Sequence, residues 1–227
     1  MISSIKQFYS RNPFPGPYTW NQISNYRYPP DNRYLKIIDN YLHNGQNVLD
    51  VGCGTGLITN LFASRYTSKF TGIDFSDGID YATQFAVDNQ LSNTKFIKQD
   101  FFDFSVETKY DIIICQSFIT HVPDYQHAVE RLKLLLDKDG ILLLGVYNSY
   151  GKILKKLFNI NYKNNRLKLD QESNPFEISF DHQEVLEMCK DLELIAVTPV
   201  IHKKLIGLSG FINSINGGLT MYVFGKV

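Results

Sequence analysis

The sequence predicts a single α/β domain over residues 1–227, built on a doubly wound, mostly parallel, seven-stranded sheet with an antiparallel last strand. Three observations carry this expectation. Short apolar runs alternate with stretches of helical period from about residue 46 to 147. One of those runs, VLDV, leads straight into a glycine-rich turn and then a helix-like segment. Two further strand-like segments follow a looser stretch and close the chain.

Residues 1–31 are rich in proline and tyrosine and show no regular apolar period, so they are expected to form an irregular arm that packs on the domain. From Asp31, which is placed to cap a helix, Leu35, Ile38 and Leu42 recur at helical spacing. Strands are expected near residues 46–51, 69–74, 94–98, 110–115 and 140–147, with helices near 56–66, 77–90 and 124–137 between them. Right-handed crossovers then place helices on both faces of a parallel sheet. The stretch 149–175 interrupts the alternation and reads as an insertion on the substrate side. A helix near 181–191 and strands near 192–200 and 218–226 complete the chain, the last two as an antiparallel edge pair.

The chain has 227 residues, 44% of them hydrophobic, which is enough for one substantial core. Its 23 basic residues balance its 23 acidic ones, so no overall field draws it to nucleic acid or to an anionic membrane, and nucleic acid is disfavoured as a partner. Cys53, Cys115 and Cys189 form no CxxC pair, and His43, His121, His127, His182 and His202 show no ligand spacing, so no metal site is expected. No apolar run resembles a signal peptide or a membrane span, and a cytoplasmic location is expected.

In VLDVGCGTG the glycines let backbone approach a ligand at the carboxyl end of a strand, beside a helix N-terminus. Gly52, Gly54 and Gly56 spell GxGxG, whereas the dinucleotide fingerprint needs glycine at position 57, which is Leu57. There is no GKS or GKT for a P-loop. In FTGIDFS, Asp74 ends the next strand, where a carboxylate accepts both hydroxyls of a ribose, with Phe75 following it.

Taken in order, VLDVGCGTG, GIDFS, FIKQDFFDF, YDIIICQSFITHVPD and DGILLLGVYN resemble the successive motifs of class I S-adenosylmethionine-dependent methyltransferases, a Rossmann-like family. The resemblance covers about residues 46–148. It implies S-adenosylmethionine as cofactor, with Asp50 orienting its amino-acid end, Gly52, Cys53 and Gly54 lining the methionine part, Asp74 holding the ribose, and Phe75 among the cofactor-binding residues. It further implies that Asp100 and Phe101 meet the adenine and that Gln116 offers its backbone carbonyl to the ammonium. QFYSRNPFPGPYTW is similar to the QYEENPYPRW opening of uncharacterised bacterial methyltransferases with an NPYP motif, which implies an arm over the cofactor with Tyr9 either as a lid contact or as an aromatic anchor into the core.

Methyl transfer from a sulfonium is an in-line displacement, so the protein chiefly positions the acceptor and excludes water. His121 is the candidate general base, with packing as its alternative role. An NPPY-like motif is absent after the fourth strand, where Gln116, Ser117, Phe118 and Ile119 stand, and Cys115 follows four apolar strand residues rather than lying in an exposed loop. The first feature weakens amino-directed methylation of adenine or glutamine and the second weakens cysteine-dependent methylation of a pyrimidine carbon, so nitrogen or oxygen of a small-molecule acceptor is preferred over carbon. Methylation of tRNA or protein is the second reading, and a noncatalytic cofactor-binding module the third. Lys152, Lys155, Lys156, Lys163, Arg166 and Lys168 form a basic amphipathic stretch, read either as a solvated helix face or as a contact for an anionic partner.

Overall fold

The computed structural model describes residues 2–24, 33–149, 176–198 and 219–226. Within these, helices α1 (Ile2–Arg11), α2 (Trp20–Ser24) and α3 (Arg33–Asp39) precede the alternating core. The core runs β1 (Asn47–Val51), α4 (Leu57–Ala63), β2 (Lys69–Asp74), α5 (Gly78–Asp88), β3 (Thr94–Lys98), β4 (Tyr110–Gln116), a 3₁₀ turn (Ile119–His121), α6 (Tyr125–Leu135) and β5 (Leu136–Tyr147). Then come α7 (His182–Met188), β6 (Glu193–Val197) and β7 (Leu219–Gly225).

The seven strands lie in the order β3-β2-β1-β4-β5-β7-β6. β1 to β5 are mutually parallel, and β7 runs antiparallel to both β5 and β6. The expected antiparallel pair is present, but β7 is inserted between β5 and β6, so of the two only β6 is an edge. Burial accounts for the order: β7 is enclosed along nearly its whole length, whereas β6 alternates between covered and open positions.

Side-chain alternation divides the core between the sheet's two faces. Val48, Ile112, Ile114, Leu143, Met221 and Val223 pack beneath α3, α4 and α5, using Leu35, Ile38, Leu61, Phe62 and Phe85. Leu49, Val51, Ile113, Cys115, Leu142 and Leu144 pack on the other face against Val129, Leu132 and Val185 of α6 and α7. Leu35, Ile38 and Leu42 are buried as their spacing required, while Asp31, their expected cap, lies outside the described residues. So do most of the 149–175 insertion, its basic residues, and His202.

Two expectations are corrected. The first part of the arm is helical, not irregular, because its prolines begin only at Pro13 and leave IKQFYSR free to wind, with Ile5 buried beneath it. β5 begins at Leu136 rather than near residue 140: buried Leu136 pairs with Tyr110 across a register irregularity, and the polar DKDG sequence concealed that pairing.

Candidate active site

β1 and β4 are neighbours whose crossovers leave in opposite directions, which opens a crevice at the carboxyl ends of the strands. The glycine turn after β1 forms its floor. Gly52, Gly54 and Gly56 have φ values of 70°, 54° and 74°, a left-handed region in which an L side chain is strained. The amides of Gly52 and Cys53 both donate to the carbonyl of Ile73, at 2.9 and 3.1 Å, which fixes the turn over β2.

The structure also shows what covers these glycines. A Cβ on Gly52 would lie 2.8 Å from the Phe118 ring, one on Gly54 2.3 Å from the Phe14 carbonyl oxygen, and one on Gly56 2.6 Å from Ala82. The chain's own close packing therefore demands glycine here in addition to any ligand. Cys53 turns its sulfur toward Gly72 and is buried, so it offers the crevice backbone only. Burial, followed by the Asp50 and Asp74 charges, raises its thiol well above the usual range.

Three carboxylates gather at this edge. Asp50 is buried and accepts from the Thr59 hydroxyl at 2.6 Å. Its carboxyl is pushed up to about 7, by removal from water first and by the Asp74 charge as a smaller contribution. Asp74 accepts from the Gly54 amide at 2.9 Å through one oxygen and from the Ser76 amide at 2.8 Å through the other. That leaves acceptor capacity on both oxygens. The Asp74 carbonyl receives the Gln99 amide at 3.0 Å, which brings Asp100 to the same edge, where its side chain accepts from the Phe102 amide at 3.0 Å.

Phe75 is half-buried beside Asp74. Phe101 is buried in the core, edge-on to Phe118 at 5.4 Å and beneath the Arg131 guanidinium at 5.6 Å. Gln116 ends β4, and Ser117 after it takes a positive φ of 62° and donates to the Gly145 carbonyl at 2.8 Å.

On the far side of the crevice His121 is buried, with its ring edge-on to Tyr9 of α1 at 5.8 Å and to Tyr147 of β5 at 5.7 Å. Its Nδ1 lies 3.1 Å from the Phe176 carbonyl, which can only accept. The proton of the neutral ring therefore sits on Nδ1, and Nε2 keeps its lone pair.

The arm is fastened across the glycine turn by contacts that the sequence reading missed. The Phe14 carbonyl accepts from the Thr55 amide at 3.0 Å and the Thr55 hydroxyl at 3.2 Å, while the Tyr18 hydroxyl donates to the Thr55 carbonyl at 2.7 Å. Asn60 donates to the Tyr18 hydroxyl at 2.8 Å, and Tyr81 bonds both the amide and the carbonyl of Tyr18, at 2.9 and 2.6 Å. An isolated Tyr among prolines was the available signal, but its partners are far away in sequence. Among the described residues no group of three His, Cys, Asp or Glu is arranged to hold a metal ion, and no helix is long and apolar enough to cross a membrane.

The family described as "Methyltransferase domain" matches residues 42–194. The chain belongs to this methyltransferase family. A malonyl-[acyl-carrier protein] O-methyltransferase from Acetivibrio thermocellus is 29% identical to this chain over 162 residues, 70% of this chain and 55% of that protein. A ubiquinone biosynthesis O-methyltransferase from Coxiella burnetii is 34% identical over 117 residues, 50% of this chain and 49% of the relative. The chain thus spans about half the length of the curated relatives it matches. Among solved structures, the N-methyltransferase NodS from Bradyrhizobium japonicum, in complex with S-adenosylhomocysteine, aligns with a TM-score of 0.66 at 14% identity, covering 98% of each chain. That likeness is one of fold.

Proposed function

We propose that the chain is an S-adenosylmethionine-dependent methyltransferase acting on an oxygen or nitrogen of a small-molecule acceptor. The observation that carries the reading is the gathering of Asp50, Asp74 and Asp100 around a left-handed glycine turn at the β1/β4 crevice. These acceptors fit the cofactor's ammonium, ribose hydroxyls and adenine amino group in that order, with Gly52, Cys53, Gly54, Phe75, Phe101 and Gln116 around them. Both curated relatives are named O-methyltransferases, which favours oxygen.

When bound, the cofactor supplies an electrophilic methyl group on a sulfonium. The chain's part is to orient the acceptor and keep water away. His121, with Nε2 as its lone-pair nitrogen, takes the proton from the acceptor hydroxyl as it attacks, or from an acceptor ammonium before the freed amine attacks, and Tyr9 and Tyr147 flank it. In this reading residues 1–227 form one domain working in the cytoplasm, with residues 1–31 as an arm over the site and 149–175 as an insertion on the substrate side.

Calorimetric titration with S-adenosylhomocysteine tests the donor, and no heat of binding at millimolar ligand refutes it. Transfer of tritiated methyl to fractionated cell extract tests the acceptor, with label expected in the small-molecule fraction. Label in RNA or protein instead overturns the acceptor class. With a labelled acceptor in hand, His121→Ala is expected to lower turnover by roughly 10²- to 10⁴-fold, and unchanged turnover excludes the general base.

A further inference from the structure

We propose that residues 176–180 form a positioning segment for the His121 ring, with the Ile178 amide as the bond that holds the segment in place. This rests on the reading of His121 as the general base and adds what orients it.

A histidine base works through one ring nitrogen while a third group holds the other, which sets both the tautomer and the direction of the lone pair. For His121 the third group is the Phe176 carbonyl, 3.1 Å from Nδ1. Once the ring has taken the acceptor's proton on Nε2, the same bond becomes charge-assisted and stabilises the imidazolium. A carbonyl is only as steady as the chain that carries it, and Phe176 belongs to no helix or strand. The residues that follow it supply the fixing.

The Ile178 amide donates to the Thr120 carbonyl at 2.8 Å, one residue before the base. Thr120 is buried in the 3₁₀ turn, where its hydroxyl donates to the Ser117 carbonyl. The Phe180 amide donates to the Tyr147 carbonyl at 2.8 Å, and the Phe180 carbonyl accepts from the Ser149 amide at 3.0 Å, in a parallel bridge to Asn148. The Phe180 ring is buried, edge-on to Tyr125 of α6 at 5.0 Å, and Ile178 packs on the same core. The segment is therefore bonded both to the residue before His121 and to Tyr147, whose ring flanks it. Residues 176 and 178 meet the adjacent residues 121 and 120, so the Ile178 bond limits how far the Phe176 carbonyl can swing from the ring.

Nitrogen-15 NMR of histidine-labelled, ligand-free protein reads the tautomer directly at about pH 8.5, where a histidine ring is ordinarily neutral. The His121 signals are assigned by their loss in His121→Asn. Wild type is expected to carry the ring proton on Nδ1. Ile178→Pro removes the amide donor, and its His121 ring is expected to show a mixture in which the Nε2–H form appears. Ile178→Val keeps the amide and is expected to match wild type. With an acceptor identified by methyl transfer, Ile178→Pro is expected to lower kcat by roughly 10- to 100-fold, the cost of a misplaced group, with little change in KM for the acceptor. A wild-type ring protonated on Nε2, an unchanged ring in Ile178→Pro, or the same change in Ile178→Val overturns the proposal. If the Pro variant does not fold, Phe180→Leu, which shortens the anchor against Tyr125, carries the same comparison. An Nδ1–H ring in a protein whose turnover survives His121→Ala refutes the general-base reading itself, a result distinct from failure of the positioning segment.

Discussion

Asp50, 3% exposed against the Thr59 hydroxyl, has its carboxyl raised from 3.8 to about 7 because burial disfavours the charged form. The folded state therefore holds this proton more tightly than the unfolded chain does. The group's contribution to stability is fully present below about pH 4, declines as pH rises toward 7, and levels off above. Asp50→Asn, which stays neutral, is expected to lack that decline and to exceed wild type in stability at pH 8. Urea unfolding at pH 5 and pH 8 measures it, and the same slope in both proteins contradicts the assignment. The Asp74 carboxylate is engaged by two backbone amides, one on each oxygen. Asp74→Ala should weaken S-adenosylhomocysteine binding by about 1–3 kcal/mol through lost hydrogen bonds, and calorimetry showing equal affinity would remove Asp74 from the site. Asp74 was legible as a strand-end carboxylate, and Asp50 only through the family resemblance of VLDVGCGTG. Their partners were not, since Thr59 and the Gly54 amide meet them only once the turn has its left-handed backbone.

The arm and the glycine turn form one assembly at the level of elements. The Thr55 peptide is held from both sides, its amide by the Phe14 carbonyl and its carbonyl by the Tyr18 hydroxyl. The arm's carbonyl occupies the space that a side chain on Gly54 would need. Gly54→Ala therefore places a methyl group against Phe14 and adds a left-handed alanine, which costs about 1–2 kcal/mol by itself. The arm is expected to detach from the turn. Trypsin should then cleave at Lys6 or Arg11 at least several times faster than in wild type, followed by mass spectrometry of the released peptides. Unchanged protection would mean that the turn yields instead of the arm. This coupling was hidden because a glycine motif reads first as a ligand site, and because prolines after residue 12 gave the whole arm an irregular look.

Across the whole molecule, the parallel half of the sheet was legible because β1, β2, β4 and β5 carry buried apolar runs and helical periods separate most of the strands, with the more open β3 at the outer edge, a pattern with few alternative topologies. The position of β7 between β5 and β6 was less so, since antiparallel strands can pair at an edge or insert, and only the enclosure of Thr220 to Gly225 decides it. The crevice takes residues from β1, β2 and β4, the turn after β3 and the arm, so a ligand there ties together segments far apart in sequence. Ligand binding to the folded state alone raises stability by about 2.7 kcal/mol at a hundredfold excess over Kd. In a domain of this size each kcal/mol raises Tm by about 2–4 °C, so S-adenosylhomocysteine is expected to raise it by roughly 5–11 °C. Scanning calorimetry should show one transition moving as a unit, because arm, turn and sheet share the site. A split transition, with the sheet shifted and the arm's contribution left behind, would show that the arm is not coupled to the ligand. The Gly54→Ala protein, whose arm is expected to be detached, should then shift less than wild type at the same ligand concentration.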